Sequence, residues 1–434
     1  MNLVPTKFRD QSESRLSTQG AAELRNDRNC AVAALAETPL KIPSAKRRFV
    51  ANLHHSLDPI LPIWRSLEID GACTAFQQLA WAGLIRDYIL PSAAADFFVI
   101  EVTDALTKRT VMLLPLVRLQ RRTHSIITGL DFGVSDYTAP LLAQGVLLSR
   151  DEAQAVWAAV NEVLPESDLI RLGCIPPEVF GSVNPLVSIA TCRRMEMQAF
   201  GVGLDGDPET LLQRLCRQST FRDFAKFRRR LERRGKIRLV SPSTRDEVDS
   251  VFNALVDQRR HRFREIRRFD LLANDNFVAF YRAAAHQGLA GGPARIFGLT
   301  VDGQCVATAY GVVHRDAFHL LIQTMDGGDQ WRNCSPGLQV TADVMKWSLL
   351  QGLKYFDFTI GMLPYKLEFG AAPSALFEIC EARSVRGNMI LYWGRATARV
   401  KAWLQQYPRV FGAVRATRRV LDRLRAKRDR NEKG

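Results

Sequence analysis

The chain has 434 residues, a formal net charge of +15 and 47% hydrophobic residues. The length exceeds that of one ordinary domain and predicts two or three. The composition is that of a globular protein and excludes a mostly disordered, collagenous or coiled-coil chain. No apolar run reaches the roughly 20 residues that a transmembrane helix needs, and the N-terminus carries no secretion signal. We therefore expect a cytoplasmic protein, with peripheral binding at the inner membrane as a second expectation.

The eight cysteines are scattered, with no C-x-x-C pair and no Cys/His cluster at the spacing of a zinc site. This pattern favours reduced, mostly buried thiols and predicts no metal. The positive charge, by contrast, is concentrated. Residues 214–238 hold eleven basic and two acidic side chains, a net +9, and residues 395–434 hold thirteen and three, a net +10. Such segments attract phosphates of nucleic acid, anionic lipid or a phosphorylated co-substrate, although most such arginines simply face solvent.

Residues 1–55 are polar with weak periodicity, which predicts a flexible leader. Apolar spacing and turn residues then predict a mixed α/β first lobe over residues 56–199. Its elements are a helix near residues 60–67, a helix over Thr74–Leu84, strands at Phe97–Val102 and Thr110–Val117, a helix at Asp151–Val163 and a strand at Leu169–Leu172.

The second lobe, predicted over residues 200–390, begins with helices. We expect a short one after Pro208, a longer one over Thr220–Arg234, one opened by the capping-box pair Thr244 and Glu247, and one over Asn276–Gln287. A three-stranded antiparallel meander follows, with Asp302-Gly303 as its first turn. Ser335-Pro336-Gly337 then opens a helix, with Ser335 as its cap, and a strand spans Lys354–Phe358.

Helices, three antiparallel strands, a helix and another strand form the core of the fold of Gcn5-related N-acetyltransferases (GNAT). Several strings of the chain strengthen this likeness and resemble the GNAT-like acetyltransferases of bacterial cellulose and exopolysaccharide biosynthesis, distant relatives of the Fem-type aminoacyltransferases. In the first half the strings are WRSLE at 64–68, FQ at 76–77, Trp81, DY at 136–137 and NPL at 184–186. In the second half they are FRRRLE at 227–232, SPGL at 335–338, GLKYFDF at 352–358, Gly361 and YK at 365–366.

The resemblance covers roughly residues 60–385. It implies an α/β (α+β) protein of two tandem GNAT-like lobes, each a mixed, mostly antiparallel sheet flanked by helices. The second lobe would hold the acyl donor, acetyl-CoA or another acyl-CoA. The usual pyrophosphate loop of the fold, Arg/Gln-x-x-Gly-x-Gly/Ala, is replaced here by QWRNCSPG at residues 330–337.

Acyl transfer from a thioester requires a place for the donor's phosphates and hydrogen-bond donors for its carbonyl oxygen. A helix N-terminus favours anions, so we assign the phosphates to the helix that starts at Pro336, with Arg332, Ser335, Gly337 and Leu338 around them. The alternative is an ordinary capped helix. The carbonyl is expected where the strand ending at Gln323 and Thr324 separates from the strand holding Asp357, because backbone N–H groups there can polarise it.

The candidates for proton transfer are Asp357, Lys366, Tyr365 and His319. Asp357, at the end of a strand, is the candidate base; Lys366 would stabilise negative charge and Tyr365 would protonate the departing thiolate. Alternatively, Asp357 caps backbone, and Tyr365 and Lys366 only pack and pair with Glu368. A covalent mechanism through Cys334 is disfavoured, because no histidine can be placed beside it.

The end of the chain, residues 391–434, is a basic amphipathic stretch. It is expected either to pack on the second lobe or to lie on an anionic membrane surface. For the whole chain we predict an acyl-CoA-dependent transferase acting on an amine or hydroxyl of a small-molecule or glycan acceptor. Two alternatives stay open: an aminoacyl-tRNA-dependent transferase, in which Thr220–Arg234 binds RNA, and a non-catalytic scaffold. Other nucleic-acid partners are disfavoured, since no recognition-helix motif is present.

Overall fold

The computed structural model describes residues 49–405, and in the last part of the final helix it describes the backbone only. Most of the predicted leader and the end of the basic tail lie outside these residues. The strands are β1 (Phe49–His54), β2 (Ala95–Asp104), β3 (Thr110–Gln120), β4 (Ser125–Gly129), β5 (Leu141–Leu142), β6 (Leu169–Ile175), β7 (Glu178–Val179), β8 (Ser182–Val183), β9 (Cys192–Gly203), β10 (Ile237–Val240), β11 (Ala294–Val301), β12 (Gln304–His314), β13 (Ala317–Met325), β14 (Tyr355–Ile360) and β15 (Ala372–Ala382).

Ten α-helices accompany the strands within this range. They are α1 (Leu61–Ile69), α2 (Leu79–Leu84), α3 (Arg150–Val163), α4 (Leu211–Leu215), α5 (Gln218–Glu232), α6 (Arg245–Glu265), α7 (Asp275–Leu289), α8 (Pro336–Leu350), α9 (Pro364–Glu368) and α10 (Val385–Gln405). The helix predicted over Thr74–Leu84 is divided into a 3-10 turn and α2, because Gln78 between them has an extended backbone with φ −61° and ψ 138°.

One sheet unites almost all strands, in the order β1-β2-β3-β4-β6-β15-β9-β14-β13-β12-β11-β10. Within it the same unit occurs twice. In the first lobe β2, β3 and β4 form an antiparallel meander, α3 follows, and β6 returns parallel to β4. In the second lobe β11, β12 and β13 form the meander, α8 follows, and β14 returns parallel to β13. The prediction of two tandem GNAT-like lobes with mixed, mostly antiparallel sheets is confirmed.

The lobes exchange strands at their junction. β9 follows the first lobe in the chain but pairs with β14, and β15 follows the second lobe but pairs with β6. β9 and β15 also pair with each other. The predicted boundary between residues 199 and 200 therefore falls inside β9, and residues 49–54 of the predicted leader form β1, which pairs with β2. Division of the chain into separate domains stays a prediction.

Helices cover both faces of the sheet. On one face α1, α2, α6 and α7 bury a single apolar cluster that both lobes share, including Trp64, Trp81 and Phe280. On the other face α3 packs over the first lobe, and α5 and α8 pack over the second. Burial of this kind contributes about 25 cal/mol for each Å² of apolar surface. The shared cluster fixes the first lobe against the second, so a residue of one lobe can contribute to a site in the other.

Local sequence signals account for the elements that border the site. Asp302 and Gly303 both have positive φ, 47° and 86°, as a tight hairpin between β11 and β12 requires. The capping box of Thr244 and Glu247 opens α6 as predicted. Ser335 occupies the N-cap position of α8 as predicted, but its backbone is left-handed, with φ 45° and ψ 54°, and its side chain makes no capping hydrogen bond.

Candidate active site

The two central strands of the second lobe separate at the point where the sequence places the donor carbonyl. β13 and β14 pair in parallel only over residues 317–319 and 355–357. Beyond this, β14 turns towards β9 and β13 stays with β12. Tyr310 pairs with Ile322 and Gly311 with Leu320, so Leu321 is an extra residue on β13. Such a bulge leaves one residue unpaired in the ladder, and bulges are frequent beside active sites.

Asp357 lies at this separation and is the centre of a buried hydrogen-bond network. It is 5% exposed. The hydroxyl of Tyr137 donates to both carboxylate oxygens, at 3.0 Å to Oδ1 and 2.8 Å to Oδ2. The amide of Thr359 donates to Oδ1 at 2.7 Å, and Nδ1 of His319 is 2.9 Å from Oδ2. The Tyr137 hydroxyl, the Thr359 amide and the His319 ring thus all contact the oxygens of this buried carboxylate.

Tyr137 belongs to the first lobe and reaches Asp357 across the junction. It lies in the loop between β4 and β5, where Gln77 donates to its carbonyl oxygen at 3.2 Å. Burial raises the pKa of the Tyr137 hydroxyl well above its usual value, and the adjacent charge of Asp357 raises it further. The phenol therefore stays protonated and donates to the carboxylate.

His319 is held by the same network from its other sides. Its ring packs edge-on against Phe76, with centroids 6.1 Å apart, and against Tyr137, with centroids 6.5 Å apart. When Nδ1 carries the proton that is donated to Asp357, Nε2 is left as the acceptor nitrogen of the ring. The side chain keeps 11% of its surface exposed, and within residues 49–405 no hydrogen-bond partner of Nε2 is found. Of the four predicted proton-transfer residues, the structure brings Asp357 and His319 together.

Lys366 and Tyr365 occupy a different place. Lys366 is 2% exposed, and its Nζ donates to the carbonyl oxygens of Thr359 at 3.2 Å and Ile360 at 2.9 Å, which are at the end of β14. Tyr365 packs edge-on against Phe358, and burial raises its pKa to about 12. Both side chains therefore support the strand that carries Asp357.

The turn beyond Asp357 is under backbone strain. Thr359 has φ 57°, a left-handed conformation that a β-branched residue rarely adopts. Its amide donates to Asp357 and its hydroxyl donates to the Leu320 carbonyl at 3.1 Å. Strain of this kind costs on the order of 1–3 kcal/mol and is concentrated at functional sites. The left-handed backbone of Thr359 points its N–H group at the Asp357 carboxylate. In a regular strand this N–H group would lie in the plane of the sheet.

The predicted donor-binding residues lie around the N-terminus of α8, with one exception. Gln323 of β13 donates from Nε2 to the Gly337 carbonyl and to Oγ1 of Thr341, the latter at 2.6 Å, and so links β13 to α8. Gly337 is buried and Leu338 is half-buried at the same helix start. The exception is Thr324, whose hydroxyl contacts Thr308 at 2.6 Å and Gln258 at 2.7 Å on the α6 side of the sheet.

Arginines surround the loop that precedes α8. Arg332 is 79% exposed in this loop. Arg230 of α5 donates to the Asn333 carbonyl at 2.8 Å. The guanidinium of Arg234, just after α5, lies 5.8 Å from the centroid of the Trp331 ring. Pro336 has no N–H, and the amides of Leu338 and Gln339 donate to the Ser335 carbonyl at 3.0 Å and 3.2 Å. The positive charge therefore lies beside a helix N-terminus, whose dipole favours anions.

The sequence assigned no role to Tyr137, whose only signal was the DY string at 136–137 of the family resemblance. Arg230 and Arg234 were included in the basic segment 214–238 that was expected to attract phosphates, but their contacts with the loop before α8 were not predicted. A cleft of about 670 Å³ lies elsewhere, between β15 and α10, and no predicted site residue lines it. Within residues 49–405 no cluster of three metal-ligating side chains occurs. None of the helices in this range is long and apolar enough to span a bilayer.

Comparison with known proteins agrees with this geometry. Residues 218–367 match the family model described as "Acetyltransferase (GNAT) domain". The solved structure of FemX covers 79% of this chain and 99% of its own, with 10% identity and a TM-score of 0.52. L-PGS from Bacillus licheniformis covers 79% and 96%, with 11% identity and a TM-score of 0.43. A tandem GNAT protein from the clavulanic acid biosynthesis pathway covers 77% and 98%, with 14% identity and a TM-score of 0.41. No curated protein matches. Residues 218–367 thus resemble the GNAT acetyltransferase family model, and the chain shares its fold with FemX.

Proposed function

We propose that the protein is an acyltransferase that takes its acyl group from an acyl-CoA and transfers it directly to an amine or hydroxyl. The observation that carries this proposal is the separation of β13 and β14, with a bulge at Leu321, beside the N-terminus of α8. The site would place the donor's phosphates at α8 and its thioester at the separation. The likeness to the exopolysaccharide-associated family favours a glycan or small-molecule acceptor.

Within this site His319 is the base and Asp357 orients it. Nε2 of His319 accepts the proton of the acceptor amine or hydroxyl while the acceptor attacks the thioester carbonyl. The imidazolium that forms is stabilised by Asp357, 2.9 Å from Nδ1. Main-chain N–H groups near the bulge stabilise the oxyanion, and each such donor is typically worth about a hundredfold in rate. Positioned proton transfer contributes roughly 10²–10⁴-fold.

The departing thiolate takes its proton from the imidazolium and not from Tyr365, the acid expected from the sequence. The pKa of Tyr365 is raised to about 12. An ordinary thiol has a pKa of about 8.5, so transfer from this phenol to a thiolate is uphill by ~3.5 pK units, or ~5 kcal/mol. The proton gained by His319 in the attack is lost to the thiolate in the collapse, which regenerates the neutral base and releases CoA as a thiol.

Calorimetric titration of the purified protein with acetyl-CoA, a long-chain acyl-CoA and free CoA tests the donor assignment. We expect micromolar binding that is weakened about tenfold by Arg332→Glu and left unchanged by Arg121→Glu, a control charge reversal in the first lobe. Absence of binding to all three ligands would exclude acyl-CoA as the donor. If Arg332→Glu binds the donor as tightly as the wild type does, the donor's phosphates do not bind at α8.

A second candidate, aminoacyl-tRNA as the donor, is favoured by the extent of the positive surface. Besides the arginines of α5, the end of α6 carries Arg260 and Arg262, which are 41% and 63% exposed. This end touches the loop before α8, since a Cβ at Gly327 would lie 3.3 Å from Cδ2 of His261. Salt-sensitive retention of tRNA on a filter, lost in the Arg260→Glu/Arg262→Glu variant, would support this donor. If the protein does not retain tRNA, aminoacyl-tRNA is excluded as the donor.

A further inference from the structure

The first lobe has a strand separation like that of the second. β4 and β6 pair in parallel only at Ile126 with Leu169 and at Ile127 with Ile170. Beyond these pairs β6 continues beside β15, and β4 stays with β3. The helix α3 follows the first meander as α8 follows the second. The first lobe therefore contains both elements at which the proposed function places the donor in the second lobe.

The acid–base groups of the second lobe have no counterpart at the corresponding positions of the first. The strand after each helix contains one left-handed residue, Thr359 in β14 and Cys174 in β6, with φ 57° and 53°. Two residues before Thr359 is Asp357, whereas two residues before Cys174 is Leu172, which is fully buried. Continuing the register of β4 and β6 by two residues places Gly129, which has no side chain, opposite Leu172. Neither residue can transfer a proton.

The N-terminus of α3 also differs from that of α8. The Glu152 amide donates to the Ser149 hydroxyl oxygen at 3.3 Å, and the Ser149 amide donates to the Glu152 carboxylate at 2.9 Å. Asp151 adds a second acidic side chain to the first turn of α3. The first turn of α8 contains neither a side-chain cap nor an acidic residue. The two carboxylates at the start of α3 repel an anion, so this helix is unsuited to hold the phosphates of a donor.

The chain itself fills the space where β4 and β6 separate. We call residues 130–140 the β4–β5 loop; all of them except Asp131 and Gly133 are buried, although connecting segments usually run over the surface. On the β6 side, the Thr138 amide donates to the Cys174 carbonyl at 3.1 Å. On the β4 side, a Cβ at Gly129 would lie 2.7 Å from both Cγ2 and Oγ1 of Thr138. Thr138 therefore contacts both strands at their separation.

Tyr137 precedes Thr138 in the same loop, and its hydroxyl donates to both carboxylate oxygens of Asp357. We propose that the β4–β5 loop takes the place of an acyl donor in the first lobe, and that Thr138, held between β4 and β6, positions the Tyr137 hydroxyl at Asp357. Only the second lobe then binds a donor, which gives one acyl-CoA per chain. This number rests on the proposed function, whereas the positioning of Tyr137 by Thr138 is independent of it.

Nuclear magnetic resonance of the full chain with isotopically labelled tyrosine tests the positioning. The signal of the ring carbon that carries the Tyr137 hydroxyl is the one missing from Tyr137→Phe. Asp357→Asn gives the position of this signal when residue 357 no longer carries a carboxylate. Gly129→Ala should shift the signal at least halfway to that position, because the added methyl group displaces Thr138. Gly129→Ala/Thr138→Ala, in which the second change makes room for the methyl group, should reverse most of the shift.

A second variant and a matched control complete this test. Thr138→Gly removes the filling side chain without crowding the strands, and it should also shift the Tyr137 signal towards its position in Asp357→Asn. The control is Gly298→Ala, whose Cβ would lie 3.1 Å from the Val251 side chain and should leave the signal in place. An unchanged signal in Thr138→Gly would overturn the positioning role. A shift in Gly298→Ala as large as in Gly129→Ala would overturn it as well.

Calorimetry with acetyl-CoA measures the number of donors. We expect one acetyl-CoA per chain, with slower hydrogen–deuterium exchange at the start of α8 and unchanged exchange at the start of α3. Two acetyl-CoA molecules per chain, or slower exchange at the start of α3, would overturn the proposal that the β4–β5 loop takes the place of a donor. Absence of binding would overturn the proposed function and the number of donors with it, while the Tyr137 signal decides the role of Thr138.

Discussion

Replacing Tyr137 by phenylalanine isolates the contact that joins the first lobe to the buried carboxylate of Asp357. The change removes one oxygen atom and leaves the ring, which packs edge-on against Phe76 with centroids 5.6 Å apart. It therefore creates almost no cavity. What is lost is the donor that contacts both oxygens of Asp357, at 3.0 Å and 2.8 Å. Asp357 then keeps only the Thr359 amide and His319.

The expected cost follows from the charge of the acceptor. A hydrogen bond to a charged group contributes about 1.5–3 kcal/mol, whereas a neutral one contributes about 0.5–1.5 kcal/mol. Tyr310 provides the comparison, because it is also fully buried and its hydroxyl donates to the neutral carbonyl of Tyr281 at 2.9 Å. We expect Tyr137→Phe to lower the free energy of unfolding by ~2 kcal/mol, and Tyr310→Phe by ~1 kcal/mol.

Urea unfolding of both variants measures the difference, and a double-mutant cycle with Asp357→Asn identifies its origin. In the cycle, Tyr137→Phe should lower the free energy of unfolding much less in the Asp357→Asn background than in the wild type. We expect a coupling free energy of ~1 kcal/mol or more. Tyr310→Phe should lower the free energy of unfolding by the same amount in the wild-type and Asp357→Asn backgrounds. Equal costs for the two phenylalanine variants, or an additive cycle for Tyr137, would refute the view that Tyr137 stabilises a charged Asp357.

Three further predictions follow from the same structure. His319→Gln should lower acyl transfer roughly 10²–10⁴-fold while the calorimetric affinity for the donor stays the same, and a parallel loss of affinity would argue against a base. Burial, together with the nearby charge of Arg315, lowers the pKa of His314 to about 4. The unfolded chain takes up this proton near pH 6.5, so stability is complete above that pH and falls by ~3 kcal/mol as the pH drops to ~4, a slope that urea titrations of His314→Gln should lack. Burial raises the pKa of Cys73 to about 12, so iodoacetamide at neutral pH should modify this thiol only after unfolding, and rapid labelling of the native protein would contradict its burial.

The second-lobe fold was predictable because its signals are local. The Asp302-Gly303 turn, the capping box at Thr244 and the glycine that ends α8 each specify an element from a few neighbouring residues. Gly352, with φ 78°, ends that helix in the left-handed conformation expected after a helix C-terminus. The alternation of apolar residues then fixes which strand faces point inward.

The strand exchange at the junction had no such signal. β9 and β15 pair with each other over residues 192–201 and 372–379. Nothing in either segment identifies a partner so distant in the chain, because pairing partners are chosen by tertiary packing. β1 was missed for the same reason, since its partner β2 lies about 50 residues further on, as in the pairing of Phe49 with Asp104.

The candidate site was predictable in type but not in detail. Asp357 was a candidate because it is a carboxylate expected at the end of a strand, and His319 was a candidate because it is a histidine expected within one. Their pairing requires the parallel register of β13 and β14, which places His319 opposite Asp357. Tyr137, 220 residues away from Asp357 in the chain, reaches the site only because the two lobes share a core. Ser-Pro-Gly predicted the N-cap position of Ser335 correctly, but not its left-handed backbone.

The central claim is that an acyl-CoA binds between the separated strands of the second lobe and the start of α8. Hydrogen–deuterium exchange of the full chain, with and without acetyl-CoA, tests it most directly because it needs no knowledge of the acceptor. With acetyl-CoA bound, we expect slower exchange at residues 320–325 of β13 and 333–338 at the start of α8. We expect no change at β2 and β3 of the first lobe. Slower exchange in the first lobe alone, or none anywhere at saturating acetyl-CoA, would contradict it.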